Sequence, residues 1–150
     1  KDEFFNIFSE YNLMVNKENG SKRPCYFCFR DNDFPSIIWF VPISSKVDKY
    51  KNIYNKKKQN GKRVLNFVFG NILGKEKVFL IQNIFPTTEQ YIIKKYQNKG
   101  KDVVIKNNLK NKVIDIANDV INMAKLGKCI PFYDIIKMRD TLLEKELVNN

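Results

Sequence analysis

Two neighbouring serines and a lysine stand where an apolar run ends, in the order Val41-Pro42-Ile43-Ser44-Ser45-Lys46. The chain contains no histidine, which is the commonest general base and metal ligand of proteins. Any catalysis must therefore use other side chains, and both Ser/His/Asp and Cys/His arrangements are excluded. Because a strand end can point polar groups into a cleft, Ser44, Ser45 and Lys46 are candidates for chemistry. The same residues are equally typical of the start of a loop.

The cysteines and carboxylates do not form a pattern that predicts a metal site. Cys25 and Cys28 form a C-x-x-C pair, but no second pair follows and Cys129 stands alone. We expect all three to be small buried residues. Asp31 and Asp33 flank a turn, where aspartates are common. None of the six glycines falls in a phosphate-binding motif. The sequence therefore predicts no metal and no cofactor, and gives little support to a nuclease that uses two metal ions.

Positive charge is concentrated in the middle of the chain. The protein has 27 Lys and Arg against 16 Asp and Glu, a net charge of +11. Residues 46–112 hold 17 of the basic and 4 of the acidic residues, a net +13, so the remainder sums to −2. The densest stretch, Lys46 to Arg63, also contains Tyr50 and Tyr54. This mixture is typical of proteins that bind single-stranded RNA. It lacks the apolar stripe of a helix that lies on a membrane.

The hydrophobic pattern predicts a small, strongly bent sheet in the first half of the chain. Several runs are apolar at successive positions, as expected of strands that are covered on both faces. Ser9–Val15 is predicted as a short helical turn capped by Ser9, and Ser44–Lys62 as a long basic excursion that is partly helical at best. The predicted strands are Glu3–Phe8, Cys25–Arg30, Ser36–Ile43, Val64–Phe69 and Lys77–Ile84.

The second half of the chain is predicted to be helical, because apolar residues recur there at three- and four-residue spacing. The predicted helices are Glu89–Gln97 capped by Thr88, Val103–Leu126 ending before Gly127, and Phe132–Val148 opened by Pro131. No repeat or linker divides the chain, so we expect residues 1–150 to form one α+β domain. No apolar run is long enough to span a bilayer and no secretory segment opens the chain, so we expect a cytoplasmic protein.

Three short motifs, in order, resemble a known family. They are Arg23-Pro24, which opens a strand, Pro42-Ile43-Ser44-Ser45, which ends the next, and the run Phe79–Pro86. Their order and spacing resemble the endoribonuclease toxins of type III toxin–antitoxin systems, the ToxN/AbiQ/CptN group. The resemblance covers about Phe4 to Gln97. It implies a compact, strongly bent antiparallel β-sheet or barrel surrounded by α-helices, similar to the MazF and Kid toxins.

The resemblance also implies an activity and its partners. Members of this family cleave RNA without a metal ion, and leave a 2′,3′-cyclic phosphate and a 5′-hydroxyl. They process a repetitive antitoxin RNA into pseudoknots that stay bound in an oligomeric ribonucleoprotein and inhibit the enzyme. The expected substrates are cellular or phage mRNA, with a role in abortive infection by phage. No membrane partner is expected.

The residues of the family's site fall on positions of this chain. Its hydroxyl pair falls on Ser44 and Ser45, and its basic residue on Arg23. The family's lysine often lies two residues after the second hydroxyl, where this chain has Val47, so Lys46 or Lys49 would have to serve. We expect Ser45 to orient the 2′-hydroxyl or the phosphate or to relay a proton, with support from Ser44. Lys46 and Arg23 would then stabilise the charge of the phosphorane.

The RNA groove is predicted from the basic segment and its neighbours. It comprises Lys22, Lys49, Tyr50, Lys51, Tyr54, Lys56, Lys57, Lys58, Lys62, Arg63, Lys94 and Lys95. The alternative function is a non-catalytic RNA-binding module that uses the same basic surface.

Overall fold

A five-stranded antiparallel sheet forms the centre of the protein in the computed structural model, which describes residues 1–13, 25–93, 95 and 97–149. Its strands are β1 (Cys25–Arg30), β2 (Ile37–Ser44), β3 (Phe67–Ile72), β4 (Lys75–Leu80) and β5 (Phe85–Thr88). The strand order is β1-β2-β4-β3, with β5 paired to β2. The fold is therefore α+β, as predicted. Within the described residues the sheet does not close into a barrel.

Strand β2 lies at the centre of the sheet, because it pairs with β1 on one edge and with both β5 and β4 on the other. Six of its eight residues pair with β1, from Cys25 opposite Ile43 to Arg30 opposite Ile38. On the other edge its first half pairs with β5 and its last two residues pair with β4. The chain bends between those two strands through a 3₁₀ turn at Ile81–Asn83. The end of β2 is thus held between β1 and β4.

Four α-helices, two further 3₁₀ turns and a short hairpin complete the fold of the described residues. The helices are α1 (Asp2–Ile7), α2 (Val47–Gln59), α3 (Asn107–Lys125) and α4 (Ile135–Asn149). Further 3₁₀ turns lie at Ser9–Tyr11 and Glu89–Tyr91, and a short hairpin joins β6 (Gln97–Asn98) to β7 (Lys101–Asp102). No helix in the described part of the chain is both long and apolar enough to cross a membrane.

The sheet is covered on both faces, as its apolar runs predict. The main core contains the fully buried Trp39, Val41 and Phe79, together with buried residues of α1, α3 and α4. A second cluster lies between α2 and the β3–β4 pair. Its buried members are Phe67, Val78 and Leu80, and Tyr50, Ile53, Tyr54, Val64 and Phe69 pack against them. Helix α2 therefore lies on the face of β4 opposite the main core.

The predicted strand over Glu3–Phe8 is wrong, because this segment forms α1. Phe4 and Phe8 lie four residues apart, both are buried, and their ring centroids are 5.1 Å apart. A helix brings side chains four residues apart into contact, whereas a strand would separate the two residues by about 13 Å. Burial of one helical face therefore overrides the high strand propensity of the segment.

Two further predictions on helices need correction. The basic excursion after Ser44 is a regular helix of 13 residues, α2, since Tyr50, Ile53 and Tyr54 supply an apolar face that packs on the sheet. Where a helix was predicted from Glu89, the described residues form a 3₁₀ turn at Glu89–Tyr91 only. Thr88 ends β5 and stands at the N-cap position of this turn, without a capping hydrogen bond from its side chain.

Other elements are confirmed with shifted ends. Strand β1 lies at the predicted position and β2 is shifted by one residue, while the ends of β3 and β4 differ from the prediction by two to four residues. Helix α3 begins at Asn107 and ends as predicted before Gly127, whose φ is +78°. The amide of Lys128 donates to the carbonyl of Met123 across this glycine, which terminates the helix. Helix α4 begins at Ile135 because Asp134 accepts the amide of Lys137.

Candidate functional site

The serine pair lies in the tight connection between β2 and α2. Ser44 is the last residue of β2, and its hydroxyl accepts the amide of Lys46 at 3.2 Å. The carbonyl of Ser45 accepts the amide of Val47, the first residue of α2, at 2.9 Å. These bonds fix the backbone of both serines. Ser44 is half-buried, whereas Ser45 and Lys46 are exposed.

Lys77 brings a positive charge to Ser45 from the neighbouring strand. Its Nζ donates a hydrogen bond of 2.7 Å to the Oγ of Ser45. The pairing of β2 with β4 sets Ile43 opposite Phe79 and Ser44 opposite Val78. One further step of this register brings Ser45 opposite Lys77, just beyond the paired residues. The contact therefore follows from strand pairing, across 32 positions of sequence.

Ser45 and Lys77 share the face of the sheet that carries the main core. Val41, Ile43 and Ser45 alternate along one side of the β2 direction, as Phe79 and Lys77 do along β4. Val41 and Phe79 are fully buried, Ile43 is half-buried and Ser45 is exposed. The two polar groups thus lie where the interior face reaches solvent, an open position that a substrate can approach.

Cys25 belongs to the same neighbourhood. It pairs with Ile43 from the other side of β2 and is half-buried. Burial raises the pKa of its thiol, while the positive charge of Lys77 opposes the rise. The charge of Lys77 therefore acts across the end of three adjacent strands.

Among the described residues, the structure does not bring the side chain of another predicted catalytic residue into hydrogen-bonding contact with the serine pair. Arg23 and Lys22 lie outside the described residues, and so does Lys94. The side chain of Lys46 is exposed at the start of α2. Lys49 lies on α2 with its Nζ 5.4 Å from the ring centroid of Tyr50. Lys77, which the sequence pattern did not single out, is the lysine whose ammonium hydrogen-bonds the serine pair in the described part of the chain.

The predicted base-stacking tyrosines pack against the protein instead. Tyr50 lies 5.1 Å from Phe67 and Tyr54 lies 5.7 Å from Phe69, measured between ring centroids. Both tyrosines are half-buried in the second cluster. The two tyrosines therefore hold α2 on the sheet, and their packed rings do not offer a free surface on which a base could stack.

The lysines of α2 flank this packed stripe. Helical spacing places Lys49 and Lys56 on one flank and Lys51 and Lys58 on the other. Lys51 pairs with Glu76 at 2.8 Å, and outside α2 Arg63 pairs with Asp119 at 3.1 Å and Lys95 with Asp102 at 3.8 Å. Among Lys46 and the predicted groove residues that the structure describes, the exposed lysines without an ion pair are Lys46, Lys49, Lys56, Lys57, Lys58 and Lys62.

The prediction that all three cysteines are buried is wrong. Cys28 and Cys129 are exposed and Cys25 is half-buried, all as free thiols. The prediction rested on the usual burial of free cysteines, but Cys28 lies on β1, at the edge of the described sheet, at a position open to solvent. Asp31 and Asp33 are turn residues as expected, since Asp31 accepts the amides of Asp33 and Phe34. Among the described residues no three potential ligands lie close enough to hold a metal ion.

Neither a protein-family model nor a curated protein sequence matches this chain. The arrangement offers a hydroxyl, a lysine ammonium bonded to it and the start of a lysine-rich helix at one end of the sheet. Such groups bind and stabilise phosphate oxygens.

Proposed function

We propose that this protein is a metal-independent endoribonuclease, the toxin of a type III toxin–antitoxin system. The observation that carries the proposal is the Ser45–Lys77 contact at the solvent end of the interior face. A hydroxyl donor and a fixed ammonium can stabilise the charge that develops on a phosphorane. This sequence has no histidine, so the proposed mechanism uses these groups and not an imidazole.

The proposed reaction is transesterification within the RNA backbone. The 2′-oxygen forms a bond to phosphorus, and the bond between phosphorus and the 5′-oxygen breaks. The products are a 2′,3′-cyclic phosphate and a 5′-hydroxyl. Ser45 and Lys46, with Arg23, hold the phosphate in line with the 2′-hydroxyl, while Ser44 shapes the turn through its bond to the Lys46 amide. Positioning of this type supplies a large part of the barrier reduction.

The proposed inhibitor is a pseudoknot antitoxin RNA, which the toxin cuts from repeats and retains. Support comes from the sequence motifs that resemble the ToxN/AbiQ/CptN group and from the charge of the segment 46–112. The unpaired lysines of α2 begin directly after the serine pair, so one RNA strand can contact both. We also propose that the sheet is related in form to the strongly bent, barrel-like sheet of the MazF and Kid toxins.

A second candidate function is a non-catalytic RNA-binding module. It is favoured by the free lysines of α2, which would bind phosphates whether or not cleavage follows. This candidate gives Ser45 and Lys77 no role in chemistry.

Cleavage in the presence of a chelator separates the two candidates. Purified protein is incubated with long RNA in excess EDTA, and the new ends are tested for cyclic phosphate. Cyclic ends that disappear in Ser45→Ala support the enzyme, with an expected loss of about 100- to 1,000-fold in rate. Ser36→Ala is the matched control, since Ser36 lies before the opposite end of β2 and its hydroxyl bonds Glu146. RNA that is retarded on a gel but remains intact would instead support the binding module.

A further inference from the structure

We infer that Lys77 is a positioning residue that makes Ser45 a hydrogen-bond donor to the scissile phosphate and prevents it from acting as a proton acceptor. The inference rests on the proposed function and deepens it. It replaces the three roles that the sequence leaves open for Ser45 by one.

The direction of the Ser45–Lys77 bond carries the argument. A lysine ammonium has three donors and no acceptor, so Lys77 donates and the Oγ of Ser45 accepts at 2.7 Å. One lone pair of Oγ is thereby occupied, and the hydroxyl proton of Ser45 must point away from Lys77. A positive charge at this distance also opposes the uptake of a proton by Oγ. Ser45 can therefore give a hydrogen bond but is a poor base.

The surroundings direct this donor towards the substrate. The backbone around Ser45 is fixed at both ends, by the Ser44 hydroxyl on the Lys46 amide and by the Ser45 carbonyl on the Val47 amide. Ser45 is exposed, while Lys77 is half-buried beside the fully buried Phe79. The free direction of the Ser45 hydroxyl is therefore solvent, where an RNA phosphate would lie.

In the proposed chemical step Ser45 neither loses nor gains a proton. The 2′-oxygen bonds to phosphorus as its proton passes to a water molecule, and the departing 5′-oxygen takes a proton from water. Ser45 donates to a non-bridging oxygen throughout, and this bond strengthens as negative charge develops there. Lys77 keeps its three protons and holds Ser45 in place.

Substitution of Lys77 tests the positioning role. Lys77→Met is expected to lower kcat by about 100-fold, as for a misplaced reacting group, with KM changed by less than about threefold. Lys77→Arg, which keeps a donor and the charge, should recover most of kcat. Lys75→Met is the matched control, because Lys75 is exposed on the same strand and side and should leave kcat unchanged. If Lys77→Met does not fold by circular dichroism, Lys77→Gln is measured in its place.

A phosphorothioate substrate tests the donor role of Ser45 itself. Sulfur at the non-bridging oxygen that Ser45 contacts weakens the hydrogen bond, so one diastereomer should be cut more slowly by the natural protein. This difference between diastereomers should disappear in Ser45→Ala and shrink in Lys77→Met. A role in folding alone would leave the difference intact, which would overturn the inference.

The failure of the inference and that of the proposed function give different results. If the natural protein cleaves RNA and Lys77→Met or Lys77→Gln cleaves it with the same kcat, the role of Lys77 is overturned. The proposed ribonuclease activity would then still stand. RNA that stays intact with the natural protein overturns both.

Discussion

The carboxylate of Asp31 accepts a hydrogen bond of 2.7 Å from the indole nitrogen of Trp39. Its other oxygen accepts the amides of Asp33 and Phe34, so one side chain closes the turn between β1 and β2 and ties it to the core. Trp39 is fully buried and lies on β2, the strand that leads to Ser45. The bond therefore fixes the far end of the strand that positions the serine pair.

Loss of the Asp31 charge should destabilise the protein. In Asp31→Asn the side-chain NH₂ group replaces one carboxylate oxygen, so it would face either the indole N–H or the two backbone N–H groups, all of them donors. At least one hydrogen bond to a charged acceptor is therefore lost. We expect the free energy of unfolding to fall by about 1.5–3 kcal/mol. The chain has one tryptophan, so the fluorescence of Trp39 during urea unfolding provides the measurement. In the control, Asp33→Asn, an exposed ion pair with Lys125 is lost, and the change should be below about 1 kcal/mol.

The same carboxylate predicts a dependence of stability on pH. Burial raises the pKa of Asp31, but the hydrogen bonds from Trp39, Asp33 and Phe34 and the charge of Lys125 bring it below its ordinary value. Since the unfolded chain then binds the proton more readily, the stabilisation is complete above the ordinary aspartate pKa of about 3.9 and is lost as the pH falls below it. The difference in unfolding free energy between the natural protein and Asp31→Asn should be larger at pH 6 than at pH 3. An equal difference at the two pH values would contradict this.

The elements that the sequence predicts well have strong local signals. The turn at Asp31 lies between two apolar runs, and both strands follow from it within one residue of the predicted positions. The end of α3 is marked by Gly127, whose backbone conformation other residues avoid. Such signals act within a few residues, so they do not depend on the rest of the fold.

The elements that were mispredicted depend on distant partners. Phe4 contacts the rings of Phe85 and Tyr91, and this packing selects a helix for a segment rich in aromatic residues. Similarly, the apolar face of α2 packs against Phe67 and Phe69 of β3, which lie beyond the helix in sequence. Neither partner is visible in the local pattern of the segment itself.

The candidate site is predicted in part for the same reason. The serine pair could be found because an apolar strand ends abruptly at Ser44. Lys77 could not, since it reaches Ser45 only through the pairing of β2 with β4, which are separated by α2 and β3. One signal was available: the alternation of a strand places Lys77 on the same face as Phe79, so this lysine lies next to a residue expected in the core.

A close contact between β3 and α3 provides a further test of the fold. Gly70 lies in β3, and a Cβ at this position would overlap the side chain of Leu109 on α3. Gly70→Ala should therefore lower the free energy of unfolding by about 1–3 kcal/mol, because Leu109 must move. Leu109→Ala removes the obstacle. In a double-mutant cycle the two changes should be coupled by at least about 0.5 kcal/mol, with the double variant more stable than additivity predicts. Additive effects in urea unfolding would contradict the contact.

Binding of RNA by α2 should depend on salt in a way that identifies its free lysines. Lys57 is exposed near the end of the helix and forms no ion pair in the described part of the chain. If it contacts a phosphate of single-stranded RNA, Lys57→Ala should reduce the slope of log affinity against log salt by about 0.7, while kcat at saturating RNA is unchanged. Binding is measured in the Ser45→Ala background so that the RNA stays intact. Lys145→Ala on α4, an exposed helical lysine outside the segment 46–112, is the control and should leave the slope unchanged. An equal effect of the two substitutions would show that RNA contacts the protein by net charge alone and not along α2.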